Sequence, residues 1–113
     1  MPSARFAPSA RRDLIEATQG IAKHNPEAAA RLRLGVAKAA RILGEHPYVG
    51  NLRPSVANEP YRFLGLRGLP YLVVYNPDRR PPLILRVLHT ARDLQEVLRD
   101  LRDDEGDFGS SRG

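Results

Sequence analysis

Apolar residues return at helical intervals twice in the first half of the chain. From Ala10 to about His24, residues Leu14, Ile15, Thr18, Ile21 and Ala22 fall at helical spacing, which predicts a first helix with Ser9 placed to cap it. The pattern restarts in "NPEAAARLRLGVAKAARILG", where Asn25 is a good N-cap, Pro26 suits the first helical position and Glu27 favours the positive end of the helix dipole. Ala29, Leu32, Val36, Ala39 and Leu43 then make one apolar stripe, with Arg31, Lys38 and Arg41 off it and Gly44 as a stop signal. So short a connection implies an antiparallel helix hairpin, and the alanines let the two helices approach closely. Upstream, "SARFAPSA" reads as a short edge strand, because Pro8 supplies no ladder donor.

The period then changes. "EHPYVGNLRPSVANEP" has three prolines and a glycine and no sustained repeat, so it is expected to be a loop of 16 residues, functional or mobile. "YRFLGL", "PYLVVYN" and "LILRVLH" are short runs rich in aromatic and branched residues, separated by turn signals, and they predict a three-stranded antiparallel meander. The third strand is apolar almost throughout and is expected to be central. In the second, Tyr71, Val73 and Tyr75 should share one face and Leu72 and Val74 the other. After it, Thr90 and Asp93 have the form of a capping box, and Leu94, Val97, Leu98 and Leu101 form the stripe of a short amphipathic helix.

These elements define an α+β domain, in which an N-terminal helix hairpin packs on a small antiparallel sheet. The sheet is the N-terminal edge strand plus the meander, and a short C-terminal helix closes the fold. The domain is expected to span residues 1–102, with 103–113, "DDEGDFGSSRG", as a flexible acidic tail too poor in apolar surface to order itself. No cysteine is present, and the histidines His24, His46 and His89 lack metal-ligand spacing, so no metal or other cofactor is expected. No apolar run approaches the ~20 residues of a membrane span, and the N-terminus has no hydrophobic signal core, so a cytoplasmic protein is expected.

Charge adds a direction. Residues 1–92 carry 15 basic and 6 acidic side chains, whereas residues 93–113 carry 3 basic and 7 acidic ones. Of the 18 basic residues, 16 are arginine, whose planar fork meets phosphate or carboxylate in bidentate fashion. A basic body of this kind points to an anionic partner, either nucleic acid or an acidic protein segment.

The order of elements, together with Pro70, Tyr71, Val74 and Tyr75 in "PYLVVYN" and Val87, Leu88, His89, Arg92 and Asp93 in "RVLHTARDL", resembles the RelE/ParE superfamily of bacterial toxins, and its ParE branch in particular. The likeness runs from Arg5 to about Leu101. It implies the toxin of a type II toxin–antitoxin module, held in a hetero-oligomer by a cognate ParD-like antitoxin. ParE-like toxins poison DNA gyrase, and the resemblance implies neither a membrane role nor sequence-specific DNA binding by the chain alone. RelE-like toxins, the alternative, are endoribonucleases that cut messenger RNA on the ribosome.

The two activities require different residues. Cleavage through a ribose hydroxyl needs a general base, a general acid and cations that stabilise the transition state. The resemblance places the nuclease branch's strand arginine at Leu72 and its terminal-helix tyrosine at Leu98, and leaves Arg92 as a match. A nuclease would therefore rest on His89 and Arg92. A gyrase-directed toxin needs no catalytic residue, and Arg86, His89 and Arg92 are then candidates for target contact. Arg11, Arg12, Arg31, Arg41 and Arg62 are the candidates for pairing with an acidic antitoxin.

Overall fold

The computed structural model describes residues 2–54 and 57–93. Strand β1 (Arg5–Phe6) leads into helix α1 (Pro8–Ala22), and α2 (Pro26–Glu45) follows; strands β2 (Asn51–Leu52), β3 (Arg62–Gly65), β4 (Tyr71–Asn76) and β5 (Leu83–His89) complete the order. The strands form one five-stranded sheet in the order β1-β5-β4-β3-β2. The meander pairs antiparallel, but β1 lies parallel to β5, so the sheet is mixed. β5 is interior, as its composition requires, although the middle place belongs to β4. The expected terminal helix and the acidic tail lie outside the described residues.

The second helix follows its sequence pattern closely. The Asn25 side chain accepts the Ala28 N–H at 3.1 Å, and Ala29, Leu32, Val36, Ala39 and Leu43 are all buried. Gly44 does not stop it. The helix runs one residue further, and a Cβ at Gly44 would run into the backbone of Pro2 and Ser3, which crosses there on its way to the bond from Ala4 N–H to the Ala40 carbonyl. Glycine at this site serves close approach rather than termination.

The first helix departs from expectation at both faces and both ends. It begins at Pro8 and ends at Ala22, and no side chain caps it. Ser9 lies inside the first turn and donates its hydroxyl to the Leu85 carbonyl at 2.8 Å. Ala10, Leu14, Ala17, Thr18 and Ile21 face the sheet, while Ile15 is 53% exposed. Five apolar residues at helical spacing allow two neighbouring stripes, and the tertiary contact with β5 selects one of them.

Alternation along β4 separates two cores. Tyr71, Val73 and Tyr75 pack against the helices with Leu32, Val36 and Leu43, whereas Leu72 and Val74 lie on the opposite face with Phe63, Leu85 and Leu88. Along β5 the alternation is broken by a register shift opposite Val74 and Tyr75, so Ile84 and Val87 face the helices while Leu83, Leu85 and Leu88 face the other core. Arg86 falls within the interruption. Its guanidinium forms a bidentate pair with Asp13 at 2.7 and 2.8 Å, and the same carboxylate accepts the Val87 N–H at 3.0 Å.

That junction fixes α1 on the sheet. β1 ends at Phe6, and the edge of β5 beyond Ile84 would otherwise face the helix unpaired. Ser9 and Asp13 stand four residues apart on one helix face, and their side chains take over the hydrogen bonds that the missing strand would have made.

The described part of the loop between α2 and β3 contributes the outer strand β2. Gly50 donates its N–H to the Tyr75 hydroxyl at 2.9 Å, and a Cβ at Gly50 would lie 2.7 Å from that oxygen. Arg62 donates to the carbonyls of Tyr48 and Gly50 at 3.2 and 2.8 Å and stacks over the Tyr48 ring. Burial, the leading cause, holds the fully enclosed Tyr75 hydroxyl above its ordinary pKa of 10.0.

Two tests follow from these contacts. Asp13→Ala leaves the half-enclosed Arg86 and the Val87 N–H without their acceptor, and we expect a loss of about 3 kcal/mol in urea unfolding. Arg86→Met in the Asp13→Ala background should recover part of that loss; strict additivity of the two changes would mean that the pair is not coupled. Tyr75→Phe strands the buried Gly50 N–H and should cost about 1–2 kcal/mol at neutral pH. A raised Tyr75 favours the neutral hydroxyl in the folded state. Its share of stability is therefore complete below pH about 10 and is lost as pH rises through the folded value. The Tyr75→Phe protein should accordingly lose less stability than wild type between about pH 8 and about pH 11, and equal slopes would refute this assignment.

Candidate functional site

Two places concentrate candidate residues: the exit of β5 and a groove along α2. At the exit, β4 and β5 remain paired as far as Tyr71 and His89, and the next residue is still tied to the neighbouring strand: Thr90 donates both its N–H (2.9 Å) and its hydroxyl (3.3 Å) to the Pro70 carbonyl. Thr90 is therefore not the cap. His89 takes that role, its Nδ1 accepting the N–H groups of Ala91 and Arg92 at 3.2 Å each, while the Asp93 carboxylate reaches back to the His89 N–H at 3.1 Å. The reciprocal bonds expected of Thr90 and Asp93 form instead between His89 and the 91–93 turn, because strand pairing with β4 decides where the chain leaves the sheet; the helix they were expected to cap lies outside the described residues.

These bonds define what His89 can do. With Nδ1 facing the N–H groups of Ala91 and Arg92, Nε2 is the ring nitrogen left for other partners. The ring is half-buried and meets Tyr71 edge-on, with centroids 5.2 Å apart. Arg92 is exposed and pairs with Asp93 at 3.3 Å; that carboxylate first, and the Tyr71 hydroxyl further, hold its guanidinium above its ordinary pKa. Leu72, where the nuclease branch would place an arginine, is 2% exposed on the core face away from the helices. The counterpart at Leu98 lies outside the described residues. Tyr71 and Tyr75 are both buried, so neither offers a stacking face.

The remaining candidates are dispersed. Arg86 is held by Asp13, and Arg62 secures the loop after α2. Arg62 and His89 sit at opposite ends of β4, opposite Tyr75 and Tyr71 respectively, so they do not share a patch. Arg11 and Arg12 are exposed on α1. Only Arg31 and Arg41 come together, on the rim of a groove of about 860 Å³ between α2 and the β3–β4 turn.

That groove contains residues the sequence pattern had not singled out. Leu34 is 70% exposed and Ile42 37%, and they stand eight positions apart on a second stripe of α2, beside Lys38. Its floor is close-packed: a Cβ at Gly35 would come within 3.2 Å of Leu69. Arg67 adds a fourth cation from the turn to those of Arg31, Lys38 and Arg41, and among the described residues no acidic side chain lines the groove. The available signal was a pair of apolar residues off the core stripe, flanked by cations. Among the described residues no group of acidic, histidine or cysteine side chains could hold a metal ion, and no helix is long and apolar enough to cross a membrane.

The fold is thus a hairpin of helices packed on one face of a mixed five-stranded sheet. The family model for the ParE toxin of type II toxin-antitoxin system, parDE, matches residues 4–94, and the chain belongs to that family. Among solved structures it is similar to the chromosomal ParDE TA system from P. aeruginosa, with 22% identity and a TM-score of 0.65 over 79% of this chain and 96% of that one. That likeness bears on the fold. No curated protein sequence matches the chain.

Proposed function

We propose that this toxin acts by binding and poisoning DNA gyrase and that a ParD-like antitoxin silences it. The observation that carries the first part is the state of the β5 exit. His89 is committed to bonds within its turn, Arg92 to Asp93, and a buried leucine stands where a nuclease arginine would be, so among the described residues the corner has no assembled acid, base and phosphate clamp. An inhibitor that works by binding requires none of these. Arg92 remains available as a contact residue on this reading, while His89 and Arg86 serve the fold first.

For the antitoxin, the groove along α2 offers what an acidic amphipathic segment needs: exposed Leu34 and Ile42 for apolar anchors and a rim of Arg31, Lys38, Arg41 and Arg67 for carboxylates. Such a segment would order itself on binding, and its anchors would offset the entropy of doing so.

Two measurements test the reading. In a supercoiling assay, the purified chain should inhibit gyrase and accumulate cleaved DNA, and His89→Ala should retain growth inhibition while losing about 1 kcal/mol of stability with its cap. Untouched gyrase together with cleavage of ribosome-bound message would establish the nuclease instead. For the groove, Leu34→Glu should weaken antitoxin binding at least about tenfold while altering stability by no more than about 0.5 kcal/mol, since the side chain is already in water. Unchanged affinity by titration calorimetry would exclude the groove.

A further inference from the structure

A second concavity, of about 520 Å³, lies on the other side of the molecule, where β1 meets the turn between β4 and β5. Four arginines line it: Arg5 from β1, Arg11 from the first turn of α1, and Arg79 and Arg80 from the turn. Among the described residues no acidic side chain does. Asp78, next to the pair in the chain, accepts the Tyr48 hydroxyl at 2.8 Å, and Arg80 reaches that same hydroxyl; the first turn of α1 contains neither an acidic residue nor a side-chain cap. Positive charge is thus gathered from three elements, with the positive end of a helix dipole in the same quarter of the molecule.

The chemistry of the lining separates this surface from the α2 groove. Its apolar members, Phe6 and Leu83, are already packed in the cores, and none of the exposed large apolar side chains borders it. An acidic peptide folding there would find charge but no anchor to offset its ordering entropy. A phosphodiester backbone needs no anchor; it is bound through charge and guanidinium hydrogen bonds, independently of sequence. We propose that Arg5, Arg11, Arg79 and Arg80 form a site for the phosphate backbone of duplex DNA, and that the chain holds DNA non-specifically through this face. The site does not depend on which enzyme the toxin attacks, and it requires no recognition of base sequence.

The test is binding of the purified chain to a fluorescein-labelled random duplex of about 20 base pairs, followed by anisotropy between about 50 and about 200 mM salt. Wild type should bind with a steep salt dependence and no preference between unrelated sequences. Arg5→Gln/Arg11→Gln should weaken binding uniformly and make the slope of log K against log salt shallower by about 1.8, whereas Arg31→Gln/Arg41→Gln should leave both unchanged. If the first pair fails to fold by circular dichroism, Arg80→Gln alone should lower the slope by about 0.9. Absence of binding at the lowest salt, or wild-type binding by the cavity variants, would overturn the proposal. So would tighter binding of poly-glutamate than of DNA at the same cavity, which would make the partner an acidic protein.

Discussion

The carboxylate of Asp13 holds three groups at once: both arms of the Arg86 guanidinium and the N–H of Val87. Each would be costly to leave without a partner between a helix and a sheet, and together they determine where α1 can sit. β1 supplies only two residues of parallel pairing, too few to cover the edge of β5, so the helix completes the edge with side chains. The position of α1 then sets that of α2, which packs on it through the hairpin. The groove along α2 and the arginine cavity beside α1 both inherit their geometry from this one junction.

Such dependence explains which features could be read from the sequence. α2 was legible because its five stripe residues follow helical steps and its cap is local, Asn25 to Ala28. The faces of β4 were legible because alternation is a property of the strand itself. α1 was legible as a helix but not in its facing, since Ile15 and Ala17 compete for the inner side and contact with β5 decides between them. β5 is apolar almost without interruption, so no pattern could announce the register shift that turns Arg86 toward Asp13. The cap at His89 was displaced by one residue for a related reason: the last rung of the β4–β5 ladder is a long-range contact.

Of the sites, the corner at His89 was visible because its residues are consecutive. The groove was visible only in part. Arg31 and Arg41 stood out by charge, but the exposure of Leu34 and Ile42 depends on which α2 stripe the sheet takes. The arginine cavity was not visible at all, because Arg5 and Arg80 are brought together only by the parallel pairing of β1 with β5 and the turn that precedes it.

Position 72 shows how tightly the sheet's second face constrains its side chains. Leu72 faces Leu88 across the ladder and shares its core with Val74 and Leu85, so its burial contributes about 2 kcal/mol to the sheet's second face. A cation there would need either a partner or a path to water, and the residues around it provide neither. The core that makes β4 a rigid centre for the sheet is thus the same packing that keeps charge away from the strand. The exposed cations of the described residues accordingly gather at the periphery, on α2, at the β3–β4 turn and around β1.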